Sequence, residues 1–119
     1  MVASGRQQTI TYCLSPLAKI KGLLTKTSLP AGEYYVFPSC RAIHTFGMRF
    51  AIDVIFCNKE GLILKYCRQV VPNRIVFCKD AFFAIELCAN EFLNQEQLKI
   101  IVSTCLKLDK SYPQCIRWI

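Results

Sequence analysis

Cys40-Arg41-Ala42-Ile43-His44-Thr45-Phe46-Gly47-Met48-Arg49-Phe50-Ala51-Ile52-Asp53-Val54-Ile55-Phe56-Cys57 is followed at once by the turn-forming run Asn58-Lys59-Glu60-Gly61. β-Branched and aromatic residues bounded by turn residues read as extended chain. Gly47 is predicted to break or bulge the stretch, leaving one strand near residues 41–46 and a second near 50–57. Gly61 can take positive φ and closes a hairpin-type turn. The return strand then covers residues 62–71, and Pro72-Asn73 stops it. The same stretch holds the chain's single histidine, one of its two methionines and an acid, Asp53, inside an apolar run. A polar group buried without a partner costs about 1–3 kcal/mol. These side chains therefore mark either a hydrogen-bonded core or a site.

Working outward, the texture stays β on both sides. Residues 9–14 alternate well enough for a first strand. Ser15-Pro16 reads as an N-cap and first helical position, with Leu17, Ile20, Leu23 and Leu24 at helical spacing behind it. A loop at 27–32 leads to a strand at 34–37. Beyond the central hairpin, 75–78 and 81–88 are further strands, and Glu86 lies near the end of the second. Asn94 caps a short helical piece at 94–98, and the apolar run 100–106 is predicted to be a last strand. The tail from Asp109 to Ile119 is expected to dock its aromatic end on the body. Strands returning about every ten residues predict a mostly β fold, a small single-domain barrel or sandwich with one or two short helices. Residues 1–119 form one domain on this reading, with 110–119 an extra C-terminal tail.

The bulk numbers narrow the class. Of 119 residues, 53% are hydrophobic and 19% charged, which argues against disorder. No apolar run reaches the roughly 18–20 residues that span a bilayer, and the polar start of the chain does not resemble a secretory signal. Eight cysteines never form a Cys-x-x-Cys pair and mostly sit beside apolar neighbours. They read as reduced core residues of a cytoplasmic protein. The net charge is +7, with the basic residues scattered rather than in a block. That suits anionic partners through long-range attraction but makes nucleic acid an unlikely one, and no membrane partner is expected.

Lys21-Gly22-Leu23-Leu24, Cys40-x-x-Ile43-His44-Thr45-x-x-Met48, Ile52-Asp53-Val54-x-Phe56, Pro72-x-Arg74 and Glu86-Leu87, in that order and spacing, resemble the family called domain of unknown function 192. The resemblance covers roughly residues 12–109. It implies a small, compact, mostly β domain with one accompanying helix, of a kind found mainly in bacteria and archaea, and no established activity. After Glu86-Leu87 the family usually carries a small residue and glycine, whereas Cys88-Ala89-Asn90 stand here. Asparagine tolerates a left-handed backbone better than most residues.

In an unbroken strand, Cys40, His44 and Met48 share one face, and Arg41, Thr45, Arg49 and Asp53 the other. A bulge at Gly47 would exchange the faces and bring Asp53 to His44, where a carboxylate orients an imidazole and raises its basicity. The expected ligand-binding set is thus His44, Thr45, Met48, Asp53, Arg74 and Glu86. It forms a pocket for a small polar or anionic ligand, with arginine suited to carboxylate and phosphate. No cofactor, catalytic residue or metal ligand is assigned. Three alternatives stay open: a thiol enzyme using Cys40 and His44, soft-metal (copper) binding by Cys40, His44 and Met48, and weak nucleic-acid binding through the basic surface. Against them all stands a purely structural role, with Asp53 meeting Arg41 or Arg49.

Overall fold

A computed structural model describes residues 8–13, 27–89, 91 and 93–110. Among the described residues, seven strands form two sheets: β1 (Thr9–Tyr12), β2 (Glu33–Pro38), β3 (Ala42–His44), β4 (Ile52–Cys57), β5 (Ile63–Val70), β6 (Ile75–Phe77) and β7 (Phe83–Cys88). The larger sheet has the order β1-β2-β7-β4-β5, and β3 and β6 make a separate two-stranded ribbon. β1 and β2 run parallel, and the other described pairs are antiparallel. The larger sheet ends in two edge strands, β1 and β5. It is therefore not a closed barrel, and the arrangement is layered. The helix expected over 15–24 and the tail beyond Lys110 lie outside the described residues.

β4 and β7 are buried at every position, which requires cover on both faces of the sheet. Their side chains alternate between two cores. Ile52, Val54, Phe56, Ala84 and Phe37 pack with Ile43 and Met48, under the ribbon. Ile55, Cys57, Ile85, Leu87 and Val36 pack with Leu98, Ile101, Val102 and Cys105. The second set belongs to helix α1 (Gln95–Lys110). The fold is thus ribbon, sheet and helix in three layers.

Helix α1 corrects the sequence reading, which ended the helix at 98 and made 100–106 a strand. The run Ile100-Ile101-Val102-Ser103-Thr104 has β propensity, but its buried positions 98, 101, 102 and 105 repeat at i, i+3, i+4 and i+7. Tertiary burial of one helical face overrides a weak local preference. The start is secured reciprocally: Asn94 Oδ1 accepts from the Gln97 amide at 2.8 Å, and Gln97 Oε1 accepts from the Asn94 amide at 2.9 Å. The Tyr12 hydroxyl, donating to the Cys105 carbonyl, ties β1 to the helix.

The 58–61 turn forms as expected, with the Asn58 Oδ1 accepting from the Glu60 and Leu62 amides. Gly61 has φ +88°, and a Cβ there would stand 2.9 Å from Leu106 Cδ2. The Leu106 tip can yield, but the backbone cannot, so Gly61→Ala is expected to cost about 1–2 kcal/mol. Chemical denaturation of the two proteins checks this.

Candidate functional site

The six residues proposed from sequence fall into three places. His44, Thr45, Met48 and Arg74 gather where the β3–β4 loop meets the β5–β6 loop. Thr45, fully buried, is the fastening. Its hydroxyl donates to the Val71 carbonyl at 2.7 Å and accepts from the Arg74 amide at 3.0 Å. Its own amide donates to the Arg74 carbonyl, and its carbonyl accepts from the Asn73 and Met48 amides. Asn73 takes φ 66° and Gly47 φ 81°, conformations that asparagine and glycine accept most readily. Met48 fills the core beneath the ribbon.

His44 lies on the ribbon's other side. It pairs with Ile75, whereas the inward-facing pair is Ile43 with Val76. Its Nδ1 accepts from the Phe46 amide at 3.4 Å, and the two rings stack with centroids 5.3 Å apart. Cys40, packed against the ribbon-side core, donates its thiol to the Ala42 carbonyl at 3.1 Å. The soft-metal set therefore does not share one face, because His44 looks outward while Met48 is in the core.

Asp53 is in the opposite layer. It pairs with Leu87, on the helix side of the sheet. Gly47 is a turn residue that carries the chain from the ribbon to the sheet, not a bulge within one strand. No exchange of faces occurs, and the expected His44–Asp53 pair is corrected: the five-stranded sheet separates the two. The bulge sits in β5 instead. Ile52 pairs with Val70 and Val54 with Cys67, so Arg68 and Gln69 together oppose Asp53. Gln69 takes φ 53°, and its amide donates to Asp53 Oδ1 at 2.8 Å. The Tyr66 hydroxyl and Arg68 Nε reach Oδ2 at 2.8 Å and 3.0 Å. The arginine that meets Asp53 is thus Arg68, not Arg41 or Arg49.

Burial first, then the Asp53 hydrogen bond and charge, push the Tyr66 phenol up to about 12. The Arg68 guanidinium, 5.6 Å from the Tyr66 ring centroid, opposes this. Glu86, also fully buried, lies between Tyr35 and Val54 in register, on the ribbon side of the sheet. Asp53 and Glu86 therefore belong to different cores.

Sequence reasoning overlooked the surface that the ribbon presents. His44, Ala42, Ile75 and Phe77 form its outer face by register, and Phe46 stacks on it. Phe46, Val71, Ile75 and Phe77 are 49%, 44%, 63% and 55% exposed. Arg41, Arg49, Lys65, Arg74 and Lys79 are also exposed, and Lys65 Nζ reaches the Phe77 carbonyl at 2.8 Å. The signal was present as an absence: residues 41–52 and 61–79 contain no acid.

Burial pushes the Cys57 and Cys105 thiols up to about 12. In the folded protein at mildly alkaline pH, a thiol reagent is expected to spare both and to modify half-exposed Cys40 before either. Mass spectrometry of partly labelled protein reads the order, and early loss of Cys57 would mean that the layers are not sealed.

A family model described as DUF192, an uncharacterized ACR, matches residues 2–100. The chain belongs to the DUF192 family. No curated protein matches this DUF192 domain. Among solved structures it is similar to a protein of Sinorhizobium meliloti 1021 described as a candidate transcription regulator, with 17% identity and a TM-score of 0.60 over 69% of each chain. It is also similar to a protein of unknown function from Novosphingobium aromaticivorans DSM 12444. There the identity is 16% and the TM-score 0.57, over 71% of this chain and 64% of that one. At such identities the likeness shows the fold. Among the described residues, no helix of the DUF192 domain is long and apolar enough to cross a membrane.

Proposed function

We propose that this DUF192 chain is a non-enzymatic binding domain whose contact surface is the outer face of the β3–β6 ribbon and the two loops fastened to it by Thr45. One observation carries the reading: Phe46, Ile75 and Phe77 stand exposed around His44 on the ribbon's outer face, with Val71 exposed in the adjoining loop and five exposed cations in the ribbon, its loops and neighbouring β5. Contiguous exposed apolar surface rimmed by polar groups commonly marks an interaction site. His44, Thr45, Met48 and Arg74 serve that surface, His44 and Arg74 on it and Thr45 and Met48 beneath it. Asp53 and Glu86 serve the fold. The partner is anionic, as the single-signed rim requires. Among the described residues four cysteines, Cys13, Cys57, Cys88 and Cys105, are buried, as small reduced core residues are, which supports a reducing, cytoplasmic setting.

Heparin serves as a general anionic probe. Arg41→Glu with Arg74→Glu is expected to lower the salt at which the protein elutes far more than Lys59→Glu with Lys99→Glu, which changes net charge equally on the hairpin tip and helix. Equal shifts for the two pairs would show a diffuse charge effect and remove the ribbon as the site.

A further inference from the structure

Resting on that reading of the ribbon, we propose that its partner is the surface of an anionic lipid bilayer. Phe46, Val71, Ile75 and Phe77 enter the headgroup layer, and Arg41, Arg49, Lys65, Arg74 and Lys79 pair with lipid phosphates and carboxylates. Peripheral binding of this kind needs two weak signals acting together, inserted apolar surface and basic residues close to the membrane. It needs no spanning segment, so the absence of an apolar run long enough to cross says nothing against it.

Three observations favour a bilayer over other anionic partners. One edge carbonyl on each ribbon strand is already engaged: Ala42 by the Cys40 thiol at 3.1 Å and Phe77 by Lys65 Nζ at 2.8 Å. Edges satisfied by local side chains are poor templates for an added strand, which disfavours an extended peptide. Two of the four exposed side chains, Val71 and Ile75, are aliphatic. They add no π face to the two phenyl rings, so base stacking, the usual source of single-strand nucleic-acid affinity, would use only half of these apolar side chains. Finally, every charge in residues 41–52 and 61–79 is positive. A folded protein would need a matching acidic ring around an apolar centre, whereas an anionic bilayer presents negative charge over the whole footprint.

The apolar side chains are also held ready. Phe46 rides on a turn fixed by Thr45, and Val71 supplies the carbonyl that Thr45 binds. The Gly47 amide donates to Asn73 Oδ1 at 3.4 Å, linking the two loops a second time. Little ordering is left to be done on contact with the surface.

Co-sedimentation of the full chain with mixed phosphatidylcholine–phosphatidylserine vesicles tests the proposal, with pure phosphatidylcholine vesicles alongside. The expected result is binding to the mixed vesicles only, weakening as salt is added. Phe46→Ser with Phe77→Ser is expected to reduce that binding about tenfold, and Arg41→Glu with Arg74→Glu by about tenfold or more. All four side chains are exposed and their replacement leaves the core intact. Ile100→Ser, on the exposed side of helix α1, is expected to bind like the parent. No binding to mixed vesicles, while heparin retention still depends on Arg41 and Arg74, overturns the lipid assignment and leaves the ribbon surface standing. Tighter binding to oligothymidylate than to vesicles overturns it in favour of nucleic acid. Vesicle binding that none of the ribbon variants changes overturns both the lipid assignment and the ribbon surface.

Discussion

Asp53→Asn is expected to lower the unfolding free energy by about 3 kcal/mol, the scale for mismatching a buried carboxylate that accepts charge-assisted hydrogen bonds. The carboxylate accepts from three donors: the Gln69 amide, the Tyr66 hydroxyl and Arg68 Nε. An asparagine keeps one acceptor oxygen for Gln69 and turns an NH₂ toward Tyr66, whose hydroxyl must rotate to accept, and Arg68, which can only donate. The Arg68 cation, half in water, then faces no charge. The bulge in β5 loses the contact that holds Gln69 at positive φ. Urea denaturation of the two proteins measures the loss, and a loss under about 1 kcal/mol would mean that the bulge stands without the carboxylate. A second readout is alkaline titration of the Tyr66 phenol. Its pKa in the folded chain lies above the ordinary value of 10.0, near 12. Tyr66 therefore favours the folded chain below pH 10, and that contribution fades as pH rises through about 12. In Asp53→Asn the phenol should titrate lower but not at its free value, since burial is the larger cause.

Thr45→Val is expected to cost about 2 kcal/mol while preserving volume. It removes the hydroxyl that serves the Val71 carbonyl and the Arg74 amide together, and each partner left unmatched near the core costs about 1 kcal/mol or more. Thr45→Ser keeps both bonds and should lose much less. Denaturation gives the totals. Faster amide exchange at Arg74 in the valine variant, with β4 and β7 unchanged, would localise the damage to the two loops. Uniform acceleration throughout the sheet would contradict a local fastening.

Most strands were legible because turn residues bracket them: Pro72-Asn73 after β5 and Asn58 to Gly61 between β4 and β5 are local instructions. Helix α1 was misread because a β-branched run and a helical burial period occupied the same residues, and only packing against Cys57 and Ile55 decides between them. Thr45, Met48 and Arg74 do come together with His44, being close in sequence or placed after a turn. The proposed partnership of His44 with Asp53 failed for a reason no local pattern carries. Nine residues apart, they belong to different sheets, and strand membership is a property of pairing, not of spacing. Tyr66, Arg68 and Gln69 went unnoticed because a bulge shows only when the opposite strand is known.

β4 reads Ile52-Asp53-Val54-Ile55-Phe56-Cys57, and β7 reads Phe83-Ala84-Ile85-Glu86-Leu87-Cys88. With cover on both faces, greasy side chains of either parity are welcome, so they do little to distinguish the right alignment from one shifted by a single residue. The two acids do distinguish it. A shift of β4 by one place would drive Asp53 under the ribbon, away from Arg68, and a shift of β7 would press Glu86 against the helix. The strand pair that forms the centre of the molecule thus carries its own proofreading marks, one on each side.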